Sequence, residues 1–110
     1  MEENLNNLNK FERLNIKWSE DRGIIQNGTV SGQALKLVSE VGELADNVAK
    51  GRAIKDDIGD CFVVLCNLAK MSGYTMGECA AHAYNDIKDR KGYLNKDGVF
   101  IKESDLEHDL

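Results

Sequence analysis

The stretch Leu37-Val38-Ser39-Glu40-Val41-Gly42-Glu43-Leu44, followed beyond Lys50-Gly51-Arg52 by Asp57-Ile58-Gly59-Asp60, decides the fold of this chain. Each half holds an acid, a β-branched residue, a glycine and a second acid. The apolar pattern on either side of Lys50-Gly51-Arg52 reads as a helix, a short turn and a second helix. On a helix, acids at i, i+3 share one face, with about 5–6 Å between Cβ atoms. If the first helix ends near Lys50 and the second starts near Ala53, Glu43 and Asp60 each lie seven residues from the turn. That is about 10.5 Å along antiparallel axes, so the two face each other, with Glu40 and Asp57 one turn away on either side. Two unit charges about 4 Å apart at an effective dielectric of roughly 20 repel by about 4 kcal/mol. Four gathered carboxylates therefore call for a cation, and all-oxygen ligation suits a hard divalent one. Gly42 and Gly59 occupy matching mid-helix positions, each costing about 1 kcal/mol relative to alanine. Close helix approach or room for a ligand would offset that cost.

Working outward, Leu5, Leu8, Phe11, Leu14 and Trp18 predict a first helix from about Asn4 to Arg22, followed by a loop from Gly23 to Gly28. Thr29 and Ser31 offer caps for the second helix, which Gly51 ends. The third carries Ile54, Ile58, Phe62, Leu65 and Leu68 up to Gly73, with an apolar arc wide enough to predict burial on more than one side. Thr75-Met76-Gly77-Glu78 has the form of a capping box and opens a fourth helix reaching about Arg90. Asn95-Lys96-Asp97-Gly98 reads as a turn, and Val99-Phe100-Ile101 as a short strand or an extended docking segment. The acidic tail, from about 102 to 110, reads as frayed.

The 110 residues make one domain, 1–110, of all-α class: a four-helix-bundle-like fold in which oligomerisation covers the wide arc. The complete absence of proline and the 30% of charged residues favour long helices over strands and turns. A net charge of −5 argues against nucleic acid as a partner, since a phosphate backbone needs a basic surface. No apolar run approaches the length of a membrane span, and the acidic start Met1-Glu2-Glu3-Asn4 is not a targeting signal. Cys61, Cys66 and Cys79 sit in apolar helical stretches and read as reduced core residues of a cytoplasmic protein.

Other polar residues are candidates for substrate contact. Lys88 and Arg90 can hold an anionic group, with Asn85 one turn before Lys88, although a basic helix end also complements its own dipole. Lys36, one turn before Glu40, can approach phosphate or simply pair with that acid. Trp18 can stack on a flat ring, and Gln33 can hydrogen-bond to the edge of one, as a base reader would. His82 follows Glu78 at i, i+4 and reads as a surface or interface residue; His108 in the tail carries no signal.

Taken together, Leu37 to Leu44, Asp57-Ile58-Gly59-Asp60 and the later Asn85, Lys88 and Arg90 resemble the MazG-like all-α nucleoside triphosphate pyrophosphohydrolases, over roughly Trp18 to Phe100. The compact size and the Gly98-Val99-Phe100 segment look like the short versions common in phages and bacteria. The resemblance implies hydrolysis of a nucleoside or deoxynucleoside triphosphate between its α and β phosphates, in nucleotide-pool control. It also implies Mg²⁺, with Mn²⁺ as a possible substitute, on Glu40, Glu43, Asp57 and Asp60, in a homo-oligomer, dimer or tetramer. By general phosphoryl chemistry, any of the four acids not saturated by metal can accept the proton of the attacking water; Glu40 and Glu43 are the catalytic candidates, and the level count favours Glu43. The chain departs from the family pattern at Ser39, where an additional glutamate is frequent, and at Asp57, one methylene shorter than the usual glutamate. Two rival readings are weighed beside it. A carboxylate-bridged di-iron bundle requires Glu-x-x-His pairs that the sequence lacks. A non-enzymatic helical metal-binding adaptor gives Asn85, Lys88 and Arg90 no evident reason to approach an acidic cluster.

Overall fold

Capping chemistry sets most helix boundaries. The computed structural model describes residues 5–104, comprising α1 Leu8–Asp21, α2 Ile24–Asn27, α3 Val30–Ala49, α4 Lys55–Met71, α5 Met76–Ile87, β1 Gly92–Leu94 and β2 Phe100–Lys102. Asn7 opens α1 by accepting from the Lys10 N–H at 3.1 Å, and Thr29 opens α3 by accepting from the Gly32 N–H at 3.0 Å. Thr75 accepts from the Glu78 N–H at 3.0 Å ahead of α5. Gly51 and Gly73, at φ of 68° and 84°, take the left-handed conformation that follows α3 and α4.

Several boundaries differ from the sequence expectation. The expected loop after α1 contains the single-turn helix α2, entered through Gly23 at φ 76° and braced by Gln26 Nε2 donating to the Glu20 carbonyl at 3.1 Å. Four residues are too few to show a period, so no pattern announced it. α1 begins at Leu8; the start expected at Asn4 lies outside the described residues, as do the acidic leader and the tail beyond Ser104, with His108. α4 begins at Lys55 rather than near Ala53. α5 stops at Ile87, so Lys88 and Arg90 lie beyond it, in a turn where the Arg90 N–H donates to the Ile87 carbonyl at 2.9 Å. The expected strand at Val99–Ile101 appears as Phe100–Lys102, paired antiparallel with the unforeseen Gly92–Leu94. Only glycine fits at position 92, because a Cβ there would collide with the Ile101 carbonyl oxygen.

The chain is thus mostly helical, with five helices among the described residues. It divides into two units, one ending at Cys79 and the other beginning at Ala80. In the first, α4 is the central element, packed against α3, α1 and α2. Its apolar core among the described residues is small: Val64, Cys66 and Ala69 are buried, alongside the polar Glu12, Ser19, Glu40, Asp57 and Asn67. Burial, and then the Glu12 charge, push the Cys66 thiol up to about 11, against a hydrogen bond with Asn15. All three cysteines are free. Cys66 is core and Cys61 half-buried, but Cys79 is exposed, because no residue of α5 is buried in this chain.

Candidate active site

Two side-chain hydrogen bonds join the antiparallel helices α3 and α4. Toward their connecting turn, Asn47 Nδ2 donates to Asp57 Oδ2 at 2.9 Å; toward the far end, Asn67 Nδ2 donates to Gln33 Oε1 at 3.1 Å. Glu40 and Glu43 fall between Gln33 and Asn47 on α3, while Asp60 falls between Asp57 and Asn67 on α4. The two acid pairs therefore share one segment of the helix pair.

A cavity of about 460 Å³ opens beside that segment. α1 contributes Asn15 and Trp18 to its wall, α3 contributes Gln33, Lys36 and Glu40, and α4 contributes Asp60 and Asn67. Glu40 is buried: Lys36 Nζ lies 3.1 Å from its Oε1, and its Oε2 has no partner at all. A buried carboxylate oxygen left without a donor is costly, which makes it a place for a ligand atom. The Asp60 carboxyl is held above the ordinary aspartate range, first by desolvation and then by the charges of Asp56, Glu40 and Asp57, with Lys36 opposing. Glu40 and Asp57 thus both act electrostatically on Asp60. Glu43 is exposed and does not line this cavity.

The donor set suits a hard cation, since it is carboxylate oxygen throughout and includes the orphaned Glu40 Oε2. As the side chains stand, no three His, Cys, Asp or Glu groups among the described residues converge to hold a metal ion. Asp57 is already engaged with Asn47, and Glu40 with Lys36. Gly42 and Gly59 are not explained by packing inside the chain, because a Cβ at either would meet nothing within 4 Å.

Of the residues singled out in the sequence, the cavity gathers Trp18, Gln33, Lys36, Glu40 and Asp60. Asn85 and Arg90 line a different hollow, in the second unit, with Asp86, Asp89 and Lys91 around them; Lys88 is exposed. Sequence reasoning missed Asn15, Asn47 and Asn67. The signal for Asn67 was present: a lone amide inside the run Val63-Val64-Leu65-Cys66-Asn67-Leu68-Ala69.

Comparison with known proteins gives the family of the chain. A 58-residue segment is 48% identical to a protein of Haemophilus phage HP1 named as an uncharacterized 18.2 kDa protein in the rep-hol intergenic region. The match covers 51% of this chain and 36% of that relative, so it spans about a third of the phage protein's length. No solved structure matches the chain. The family described as the MazG nucleotide pyrophosphohydrolase domain matches residues 29–94, which takes in α3, α4, both acid pairs and α5. With more than half of its length so matched, the chain belongs to the MazG nucleotide pyrophosphohydrolase domain family.

Proposed function

We propose that this chain hydrolyses nucleoside or deoxynucleoside triphosphates to the monophosphate and pyrophosphate, using Mg²⁺, with Mn²⁺ as a substitute. The observation that carries the reading is the cavity in which Asp60 and the unpartnered oxygen of Glu40 meet Lys36, Trp18 and Gln33. Glu40, Glu43, Asp57 and Asp60 would hold the cation. Bound there, it would neutralise non-bridging phosphate oxygens and make the attacking water more acidic.

The chain's own residues supply the rest. Glu40 and Glu43 are the candidate proton acceptors, whichever the cation leaves unsaturated: Glu40 lines the cavity, whereas Glu43 is exposed. Lys36, exposed and paired with Glu40 of its own helix, can turn its ammonium group to a phosphate. Trp18 offers a ring face to the base. Asn85, Lys88 and Arg90 are the proposed contacts for the outer phosphates or the ribose. The reading includes a homo-oligomer, dimer or tetramer, in a bacterial cytoplasm, whether host- or phage-encoded, with neither nucleic acid nor membrane as partner. No described helix is long and apolar enough to cross a membrane.

The test is a screen of the common ribo- and deoxyribonucleoside triphosphates for pyrophosphate release with Mg²⁺ or Mn²⁺, run in ¹⁸O-labelled water. Attack at the α phosphorus places the label in the monophosphate. Label in pyrophosphate, or release of orthophosphate with a diphosphate, overturns the proposed bond. No hydrolysis of any triphosphate would leave the adaptor reading in front.

A further inference from the structure

Asn67 is 3% exposed, and its two polar ends are treated differently. Nδ2 donates to Gln33 Oε1, while Oδ1 is buried and accepts nothing. An acceptor stranded in that way is destabilising, and an apolar side chain of the same size would avoid the cost, so packing alone does not account for it. The stranded oxygen belongs to a residue that lines the same cavity as Trp18. Trp18 is the only tryptophan of the chain; the Arg22 guanidinium sits over its ring, 4.1 Å from the centroid, and the residue is still 47% exposed. With one face covered by Arg22, the other is left for a flat ring to stack on.

The spacing of the polar groups fits a nucleotide lying along the helix pair. From Gln33 to Glu40 and from Asp60 to Asn67 the separation is two helical turns, about 10.5 Å along each axis. One end of the segment therefore carries neutral amides and the other carries carboxylates, with Lys36 between Gln33 and Glu40. We propose that Asn67 reads the base: a nucleobase stacked on Trp18 draws the Asn67 Oδ1, closed off as the side chains stand, toward the cavity to accept a ring or exocyclic N–H, while Gln33 keeps hold of Nδ2. This inference rests on the nucleotide reading of the cavity given above. Every common base offers an N–H on its pairing edge, so Asn67 sets the requirement for an edge donor. A ring that lacks one would leave Oδ1 unpaired.

Binding can be read without hydrolysis, because Trp18 is the sole tryptophan. Its fluorescence would be titrated with the monophosphates of the common bases and with those of 2-pyrimidinone and unsubstituted purine, rings that carry no edge N–H. The two analogues should bind at least about tenfold more weakly than cytidine and adenosine monophosphates. In Asn67→Leu that gap should close. Equal binding of analogues and parents by the wild-type protein overturns the inference without recourse to any variant. Persistence of the gap in a folded Asn67→Leu, or no binding of any nucleotide, overturns it as well. Turnover of triphosphates measured in parallel separates the two claims. Hydrolysis without edge discrimination sinks the inference and spares the hydrolase reading, whereas discrimination without hydrolysis does the reverse.

Discussion

Asn47 donates from Nδ2 to Oδ2 of the buried Asp57 over 2.9 Å, so the first acid of the second pair is held by an amide from the opposite helix. The bond fixes one Asp57 oxygen close to the α3–α4 turn and offsets part of the cost of burying its charge. Hydrogen bonds to charged groups contribute about 1.5–3 kcal/mol. Asn47→Ala should therefore lower unfolding stability by about 2 kcal/mol in denaturant titration. If Asp57 is a cation ligand, saturating Mg²⁺ should narrow the deficit, because the ion takes over the work of the missing donor. A loss near zero in metal-free buffer would show that the amide does not support the carboxylate.

The crowding of acids predicts a pH dependence of unusual sign for an aspartate. Asp60 titrates above its ordinary value because desolvation and then Asp56, Glu40 and Asp57 disfavour its charge. The folded state therefore holds that proton more tightly than the unfolded chain. Its stabilising effect is complete below the unfolded pKa and is lost as pH rises through the folded one. At neutral pH, without metal, ionised Asp60 is destabilising. Asp60→Asn should then melt higher than the wild-type protein at pH 7, with the difference vanishing near pH 3, and Mg²⁺ should raise the wild-type Tm more than the variant's. Identical melting at pH 7 would remove the crowding.

Lys36 separates pairing from function. Its i, i+4 ion pair joins a lysine side chain that is 58% exposed to a carboxylate that is 10% exposed, so its loss strands the buried acid and should lower stability by about 1–3 kcal/mol. If its ammonium group turns to phosphate during turnover, Lys36→Met should raise KM for triphosphate by about tenfold, the scale of one charge-assisted contact. Unchanged kinetics would confine Lys36 to its partner Glu40.

The helices of the site were legible because their signals are local. The duplicated acid pairs, Gly51 between them and the caps at Thr29 and Thr75 all lie within a few residues of what they determine. The register also followed, since a short turn forces α3 and α4 antiparallel. What escaped was the content of the faces. Counting residues from the turn put Glu43 opposite Asp60, but the count ignores rotation about each axis, and Glu40 is the acid that reaches the cavity. Asn15, Asn47 and Asn67 escaped because an amide acquires a role only from what lies across from it. The hairpin strand Gly92–Leu94 and the helix Ile24–Asn27 are too short to show a period.

The matched glycines give a prediction whose sign decides where the missing packing lies. Each costs about 1 kcal/mol in a helix, yet a Cβ at Gly42 or Gly59 would meet nothing within the chain. Their neighbours Val41 and Ile58 are about half exposed, Val38 is more so, and only three apolar residues are buried among those described. So many exposed apolar side chains beside so small a core favour a symmetric assembly that covers them. Light scattering should then give a dimer or tetramer at micromolar concentration. In a monomer, Gly42→Ala should stabilise by about 0.5–1 kcal/mol, since it only removes freedom from the unfolded chain. In an assembly whose second copy approaches the glycine, the same substitution should lower both the Tm and the mass seen in dilute solution, and Ile58→Glu should do so more strongly. A monomeric mass together with a stabilised Gly42→Ala would overturn the assembly and leave room for a ligand as the reason for both glycines.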